Sequence, residues 1–173
     1  GNQVKDNMFW SVLSGGTVWT AYEVLLVWAY ANNWLPYISF SANPVWFIGW
    51  IILIPMWNDF HFYWVHRLLH WKPLYKVAHY LHHRNVNVGP WSGLSMHPVE
   101  HVIYFTRWLI LLVIPSHPIH MLYLMQRTSL GPAKGHTGFD ELVISNQSDS
   151  RISIDSFHHY LHHRYFNCNY GDN

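Results

Sequence analysis

Histidines are concentrated in two stretches of this 173-residue chain. Residues 66–83 read HRLLHWKPLYKVAHYLHH, and residues 157–171 read FHHYLHHRYFNCNYG. In an α-helix, side chains at positions i, i+3 and i+4 lie on one face. The spacing therefore predicts three short helical segments that aim imidazoles at a shared point. Those groups are His66 with His70, His79 with His82 and His83, and His159 with His162 and His163.

Imidazoles packed this densely indicate a metal site. Without a cation they would repel one another when protonated and leave donors unpaired when neutral. A mononuclear zinc site takes about three or four protein ligands, roughly half of what these groups offer, so the sequence predicts two metal ions. A nitrogen shell without thiolates suits iron, zinc, copper or nickel, and the spacing alone does not separate them.

Composition favours a membrane protein. Half of the residues are hydrophobic and only 11% are charged, against about 25% in an ordinary soluble domain. The formal net charge is +1, with no basic run, which argues against a nucleic-acid partner. Cys168 is the single cysteine, so an internal disulfide is excluded and a cytosol-facing site is favoured.

Four apolar segments predict how the chain is arranged around the histidines. Residues 9–35 exceed the roughly 20 residues needed to cross a bilayer, although a buried core helix is the alternative. Residues 45–70 form a second helix that leaves the lipid as it reaches the first histidines, and residues 99–130, broken near Pro115, form a membrane hairpin. We therefore expect an all-α membrane protein, capped on one face by a helical metal-binding region, residues 66–98 and 131–173.

Charge patterning predicts the side of the membrane on which the cap lies. The two crossings and the hairpin return both histidine stretches to the same face. Basic residues accumulate near those stretches, and basic loops favour the cytoplasm. They are Arg67, Lys72, Lys76, Arg84, Lys134, Arg151 and Arg164. The polar residues 131–156 are predicted to form loops with a short helix.

Individual residues outside the three groups carry narrower predictions. Asp59 lies seven residues before His66, two helical turns along the same face, and is predicted to accept the second ring N–H of that ligand. His61 lies off that face and is interpreted as structural. His136, in the loop sequence GHTGFDE directly after the hairpin, is a candidate ligand on the metal side. Arg107 is expected to face protein rather than lipid.

The order of these motifs resembles the fatty acid hydroxylase/sterol desaturase superfamily of membrane di-iron oxygenases. The resemblance covers the chain from about Pro44 onward. HRLLH at 66–70, HYLHH at 79–83 and HYLHH at 159–163 resemble the three histidine boxes of the family. HPVE at 97–100 resembles the element that opens the membrane hairpin, and GHTGFD resembles the segment with an additional ligand. RYFNCNYG at 164–171 is similar to the sterol C5-desaturase branch.

The resemblance implies a dinuclear non-haem iron centre, in which zinc could replace iron in a purified protein. The implied ligands are His66, His70, His79, His82, His83, His136, His159, His162 and His163. Supporting rather than ligating roles are implied for His97, Glu100 and His158. The family continues beyond NYG, so we expect that the chain is truncated at its C-terminus.

The implied reaction is the O₂-dependent hydroxylation or desaturation of an unactivated C–H bond in a lipid, such as a sterol or fatty acyl chain. The sequence has no flavin, dinucleotide or haem-attachment motif, so an external donor of the cytochrome b5 or ferredoxin type is expected. The resemblance places the chain in a bacterial inner membrane or the endoplasmic reticulum.

The main alternative is a non-enzymatic integral-membrane protein that binds or transports metal. Such a protein would place histidines midway along its spans, whereas these lie beyond the apolar runs. Two further alternatives fit less well. A two-haem protein poorly explains adjacent histidine pairs, and a zinc hydrolase is disfavoured because the sequence has no HExxH motif and no obvious general base.

Overall fold

A computed structural model describes residues 2–145, 150–154 and 156–171. The described chain is mostly helical, with one small sheet. We number six helices: α1 Gln3–Ala31, α2 Pro44–Leu69, α3 residues 72–83, α4 Pro98–Phe105, α5 Pro118–Gly135 and α6 Ser156–Tyr165. Two strands, β1 Glu141–Ser145 and β2 Ser150–Ser153, lie between α5 and α6. The 3₁₀ segment Thr106–Leu112 continues α4.

Three of the helices begin with the same local device, a polar cap followed by proline. The caps are Asn43, His97 and His117, and each side chain accepts a hydrogen bond from the backbone N–H at position N2 or N3. Proline at N1 has its φ already set for the helix and lacks an N–H that would be unpaired there. The sequence therefore fixes where α2, α4 and α5 begin, and with them the approach of each helix to the histidine region.

Helix α1 is the one described helix that is long and apolar enough to cross a membrane. It spans 29 residues and begins at Gln3, six residues before the predicted start, because Asn2 caps it by accepting from the Val4 N–H at 3.1 Å. It contains a π-helical segment, Trp10–Gly15, where a Cβ on Gly15 would lie 3.1 Å from His101 Nε2. Glycine at this position lets α1 pack closely against α4.

Helix α2 closely follows its predicted bounds and runs without interruption through Pro55. Its buried face packs with α4, α5 and α1 around an apolar core that includes Ile54, Trp108 and Leu124, all 0% exposed. Within this core, the side-chain oxygen of Asn58 accepts a hydrogen bond from Arg107 Nη1 at 2.7 Å. The guanidinium of Arg107 also lies 3.9 Å from the centre of the Tyr104 ring. Arg107 is fully buried, as predicted.

The polar segment after α5 differs from its predicted structure. Helix α5 continues to Gly135, and β1 and β2 then pair as an antiparallel hairpin with Leu142 opposite Ile152. Both strands contain β-branched residues, Val143 and Ile144 in β1 and Ile152 in β2, and such residues favour strands. The predicted loops with a short helix are therefore wrong here, and the all-α class holds only for the rest of the described chain. The expected C-terminal truncation falls at residues 172–173, which lie outside the described residues.

Candidate metal centre

Four ring nitrogens converge in the first part of the site. The Nε2 atoms of His70, His79 and His83 lie 3.1–3.2 Å from one another, and His162 Nε2 lies 3.1 Å from those of His70 and His83. His66 joins this set, which we call the five-histidine group. The five histidines are far apart in sequence because they come from three different helices, α2, α3 and α6.

A second set lies beside the first. We call it the four-histidine group, and it consists of His82, His136, His159 and His163. His159 and His163 face each other with Nε2 atoms 3.2 Å apart. Within each group, one ligand atom from every member lies within 4.8 Å of all the others. All nine histidines that the family resemblance implied as ligands are therefore brought together, and they divide into two sets.

The nitrogen spacing suits a metal ion between the rings. Metal–nitrogen bonds of about 2.0–2.1 Å place tetrahedral ligand nitrogens about 3.3 Å apart and adjacent octahedral ones about 2.9 Å apart. The observed 3.1–3.2 Å separations in the five-histidine group fall between these values. A cation between them would satisfy several nitrogen lone pairs at once.

The helical spacing decides which histidines share a group. Residues four apart stay together: His66 with His70, His79 with His83, and His159 with His163. Residues three apart belong to different groups. His82 lies in the four-histidine group while His79 lies in the other, and His162 lies in the five-histidine group while His159 lies in the other. An i+4 neighbour is rotated about 40° one way and an i+3 neighbour about 60° the other. The imidazoles therefore converge on two points rather than on the single shared point that the spacing predicted.

Adjacent histidines link the two groups. His82 and His83 follow one another but belong to different groups, with ring centroids 5.8 Å apart. His162 and His163 do the same, at 5.9 Å, while His83 and His163 approach to 4.7 Å across the boundary. Successive residues on a helix point about 100° apart. Each HH pair therefore sends one imidazole to each side and holds the groups next to one another.

Backbone carbonyls orient two members of the five-histidine group. His66 Nδ1 lies 3.0 Å from the Tyr170 carbonyl oxygen, and His162 Nδ1 lies 2.6 Å from that of Cys168. A carbonyl only accepts, so each Nδ1 carries the proton and donates it, and each Nε2 retains a lone pair. In both rings the second nitrogen is thereby fixed in the form that binds a metal.

A hydroxyl performs the same task in the four-histidine group. Ser92 Oγ donates to the Gly89 carbonyl at 2.7 Å and lies 2.7 Å from His136 Nδ1. Since the hydroxyl proton is already used, His136 Nδ1 is the donor in the second contact. His136 Nε2 is then a buried lone pair, and it has no hydrogen-bond partner among the described residues. His66 Nε2 is buried and unpartnered in the same way.

Burial keeps these imidazoles neutral. It lowers the pKa of His82 to about 3. Burial is likewise the largest cause that lowers the pKa of His79, His136 and His159, and neighbouring histidines lower each further. Neutral imidazole is the form that binds metals. The fit of the site to cations therefore comes from buried unprotonated nitrogens that face one another.

The predicted supporting residues differ in whether they contact the histidine groups. Glu100 Oε1 lies 2.7 Å from His79 Nδ1 and contacts the site directly. Asp59 does not reach His66, because a seven-residue separation is a rise of about 10.5 Å along the helix. Asp59 Oδ1 instead contacts Asn58 Nδ2 at 3.5 Å. His97 caps α4 by accepting from the Val99 N–H, and the His158 side chain is exposed.

Sequence reasoning missed three of the acceptors that orient the ligands. The carbonyls of Cys168 and Tyr170 follow the third histidine box, where the positive φ angles of Phe166 (65°) and Asn169 (51°) turn the chain back toward the rings. A carbonyl has no residue-type signature. Ser92 lies in the SGLS loop, and its position three residues after Gly89 was the one available signal.

Fold and site together define a helical protein with paired histidine groups that are able to hold metal ions. A sequence model of the fatty acid hydroxylase family matches residues 51–173, which include all nine of these histidines. The chain therefore belongs to the fatty acid hydroxylase family, and the predicted superfamily is confirmed.

Sterol desaturases are among its relatives. A Delta(7)-sterol 5(6)-desaturase of Gibberella zeae is 30% identical over 121 residues, which cover 69% of this chain and 36% of the relative. Similar enzymes of Candida albicans (31% identity; 67% of this chain, 29% of the relative) and Saccharomyces cerevisiae (30%; 66% and 30%) also match. The chain thus spans about a third of the length of these curated relatives. No solved structure matches it.

Proposed function

We propose that this chain is the metal-binding core of an O₂-dependent oxidoreductase that hydroxylates or desaturates a lipid. The observation that carries the proposal is the pair of adjacent histidine groups, with nine imidazoles and their orienting acceptors. Membership of the fatty acid hydroxylase family, and relatives that desaturate sterols, support iron and a lipid substrate. A sterol or a related lipid is the substrate class we favour.

In this proposal each histidine group holds one iron ion. The five-histidine group would be held by α2, α3 and α6, and the four-histidine group by α3, α6 and the end of α5. When bound, the iron pair would supply the electrons and the reactive site for O₂ activation. The chain itself orients the ring nitrogens, keeps them unprotonated and excludes bulk water, since eight of the nine histidines are buried.

An apolar cavity marks where the reacting part of the substrate would lie. It is lined by His66 and His79 of one group, His82 of the other, and apolar side chains such as Phe62 and Met96. Its volume is only about 10 Å³, room for about one water molecule. A lipid would therefore have to displace side chains that line the cavity, and the flexible Met96, just before α4, is suited to move.

We further propose that α1 and α2 both cross the membrane, and that residues 99–130 form a hairpin within it. The 26-residue length of α2 and the many exposed apolar side chains on both helices support this arrangement. The basic residues near the histidines favour a cytoplasmic metal site. Electrons would come from a separate donor protein of the cytochrome b5 or ferredoxin type.

Iron loading and turnover test this function together. The protein would be purified in detergent or nanodiscs, loaded anaerobically with Fe²⁺, and given O₂, a reductant and mixed sterol and fatty acyl lipids. We expect metal-dependent alcohol or alkene products by mass spectrometry. His162→Ala should abolish them, whereas His61→Ala should retain them, because His61 contacts Thr106 Oγ1 rather than either group. Stoichiometric metal with no reductant-dependent product would instead support the non-enzymatic metal-binding alternative.

A further inference from the structure

The side chain of Glu100 is diverted from its ordinary role in a helix. Glu100 is the third residue of α4, where a glutamate commonly accepts from the backbone N–H of the cap residue. Here the cap is His97, whose own side chain accepts from Val99 N–H. Glu100 Oε1 contacts His79 Nδ1 at 2.7 Å, 21 residues away in sequence. The carboxylate therefore serves the histidine site rather than the helix end.

The carboxylate is enclosed as well as diverted. Glu100 is 1% exposed and His79 is 2% exposed. Glu100 Oε2 has no hydrogen-bond partner among the described residues, and the side chain lines the cavity shared with His66 and His82. Burying an ionised carboxylate with one oxygen unpaired is costly unless positive charge is close. Bound cations in the two histidine groups would supply that charge.

The nine histidines bring no negative charge of their own when neutral. Two divalent ions would therefore remain uncompensated in a buried site. Among the described residues, Glu100 is the one carboxylate that contacts a member of either group. Its Oε1 also accepts from Nδ1–H of His79, which leaves the lone pair on Nε2, the atom that meets His70 and His83.

We propose that Glu100 is a positioning residue: its carboxylate fixes the metal-binding tautomer of His79 and strengthens cation binding at the five-histidine group. This inference rests on the proposed metal-binding function and does not depend on the reaction. Outer partners of this kind typically change metal affinity by about 10- to 100-fold. A purely structural buried pair would lower stability while leaving the affinity of the folded protein unchanged.

Two variants separate charge from geometry. Glu100→Gln keeps an acceptor oxygen at nearly the same position but removes the charge. Glu100→Asp keeps the charge but is one methylene shorter, so it draws the oxygen away from His79. Ser14→Ala is the matched control, because Ser14 Oγ makes a buried 2.8 Å hydrogen bond with His101, a histidine of neither group.

The measurement is the affinity of the metal-free protein for Zn²⁺ and Co²⁺, determined by competition with a chelator. We expect both Glu100 variants to bind one ion about 10- to 100-fold more weakly than wild type, with the second ion little changed. Co²⁺ absorption should change for the weakened site alone. Ser14→Ala should lose thermal stability and keep both affinities. Unchanged affinity and Co²⁺ absorption in Glu100→Gln and Glu100→Asp would overturn the proposal.

A measurement on the wild-type protein avoids variants that fail to fold. With ¹⁵N-labelled histidine and bound Zn²⁺, His79 should show a protonated Nδ1 and a metal-bound Nε2. A metal-bound Nδ1 would overturn the proposal. Tight binding of two ions without lipid turnover would refute the oxygenase function and leave the role of Glu100 standing, so the two failures are distinguishable.

Discussion

Acid should destabilise the metal-free protein below about pH 6.5 because its buried histidines resist protonation. The pKa of His82 is about 3 in the folded chain, against about 6.5 in an unfolded one. Between these values the unfolded chain binds a proton that the folded chain does not. Stability is therefore fully present above about pH 6.5 and falls as the pH is lowered toward 3.

The size of the effect follows from that difference. One such histidine removes about 1.4 kcal/mol for each pH unit below 6.5, or about 2 kcal/mol at pH 5. Burial also lowers the pKa of His79, His136 and His159, so these three histidines lower the stability in the same direction as His82 when the pH falls. A typical domain is stable by only about 5–15 kcal/mol.

The assay is thermal or denaturant unfolding of the metal-free protein in detergent, followed by circular dichroism at several pH values between 7.5 and 4.5. We expect a steep loss of stability below about pH 6.5. Zn²⁺-loaded protein should keep its stability to lower pH, because the ion occupies the nitrogens that would take up protons. Constant stability of the metal-free form down to pH 4.5 would refute the claim that these imidazoles are buried and neutral.

Three further changes test separate parts of the site. Ser92→Ala removes the acceptor of His136 and should weaken one ion about 10-fold or more in a chelator competition, with no effect if Ser92 only shapes its loop. Gly93→Ala would press a Cβ against the backbone carbonyl oxygen of Pro132, so we expect about 1–3 kcal/mol of destabilisation by thermal unfolding, and an unchanged midpoint would contradict the tight packing. Met96→Trp should block the cavity beside both groups, raising KM or abolishing turnover while two ions stay bound; normal kinetics would place the substrate elsewhere.

Much of the helical fold could be predicted from the spacing of residues along the sequence. Long apolar runs predicted the bounds of α2 closely and the break between α4 and α5. The histidine spacing predicted that the three histidine motifs meet, but not that they divide into two groups. Matching faces did not show how far apart two side chains lie along the helix axis, or how far one is rotated from the other around it. Asp59 lies on the correct face of α2 but too far along it to touch His66. His82 lies on the side of α3 that faces the four-histidine group, and His162 lies on the side of α6 that faces the five-histidine group.

Longer-range features had weaker signals. The hairpin of β1 and β2 is short, and the polar residues around it are typical of a loop, so its pairing of Leu142 with Ile152 had no clear signal in the sequence. The carbonyls of Cys168 and Tyr170 orient two ligands through backbone atoms that any residue would provide. The HPVE motif predicted Glu100 as a supporting residue. Its contact with His79 depends on the packing of α3 against α4, which the sequence does not show.

The central claim is that two adjacent histidine groups each hold a metal ion. The most direct test is the metal-to-protein ratio after anaerobic Fe²⁺ loading and removal of loosely bound ions, compared between wild type, His162→Ala and His61→Ala. We predict about two ions for wild type and His61→Ala and fewer for His162→Ala, which lies at the junction of the groups. A wild-type ratio of one or less, or no loss in His162→Ala, would contradict a paired metal centre.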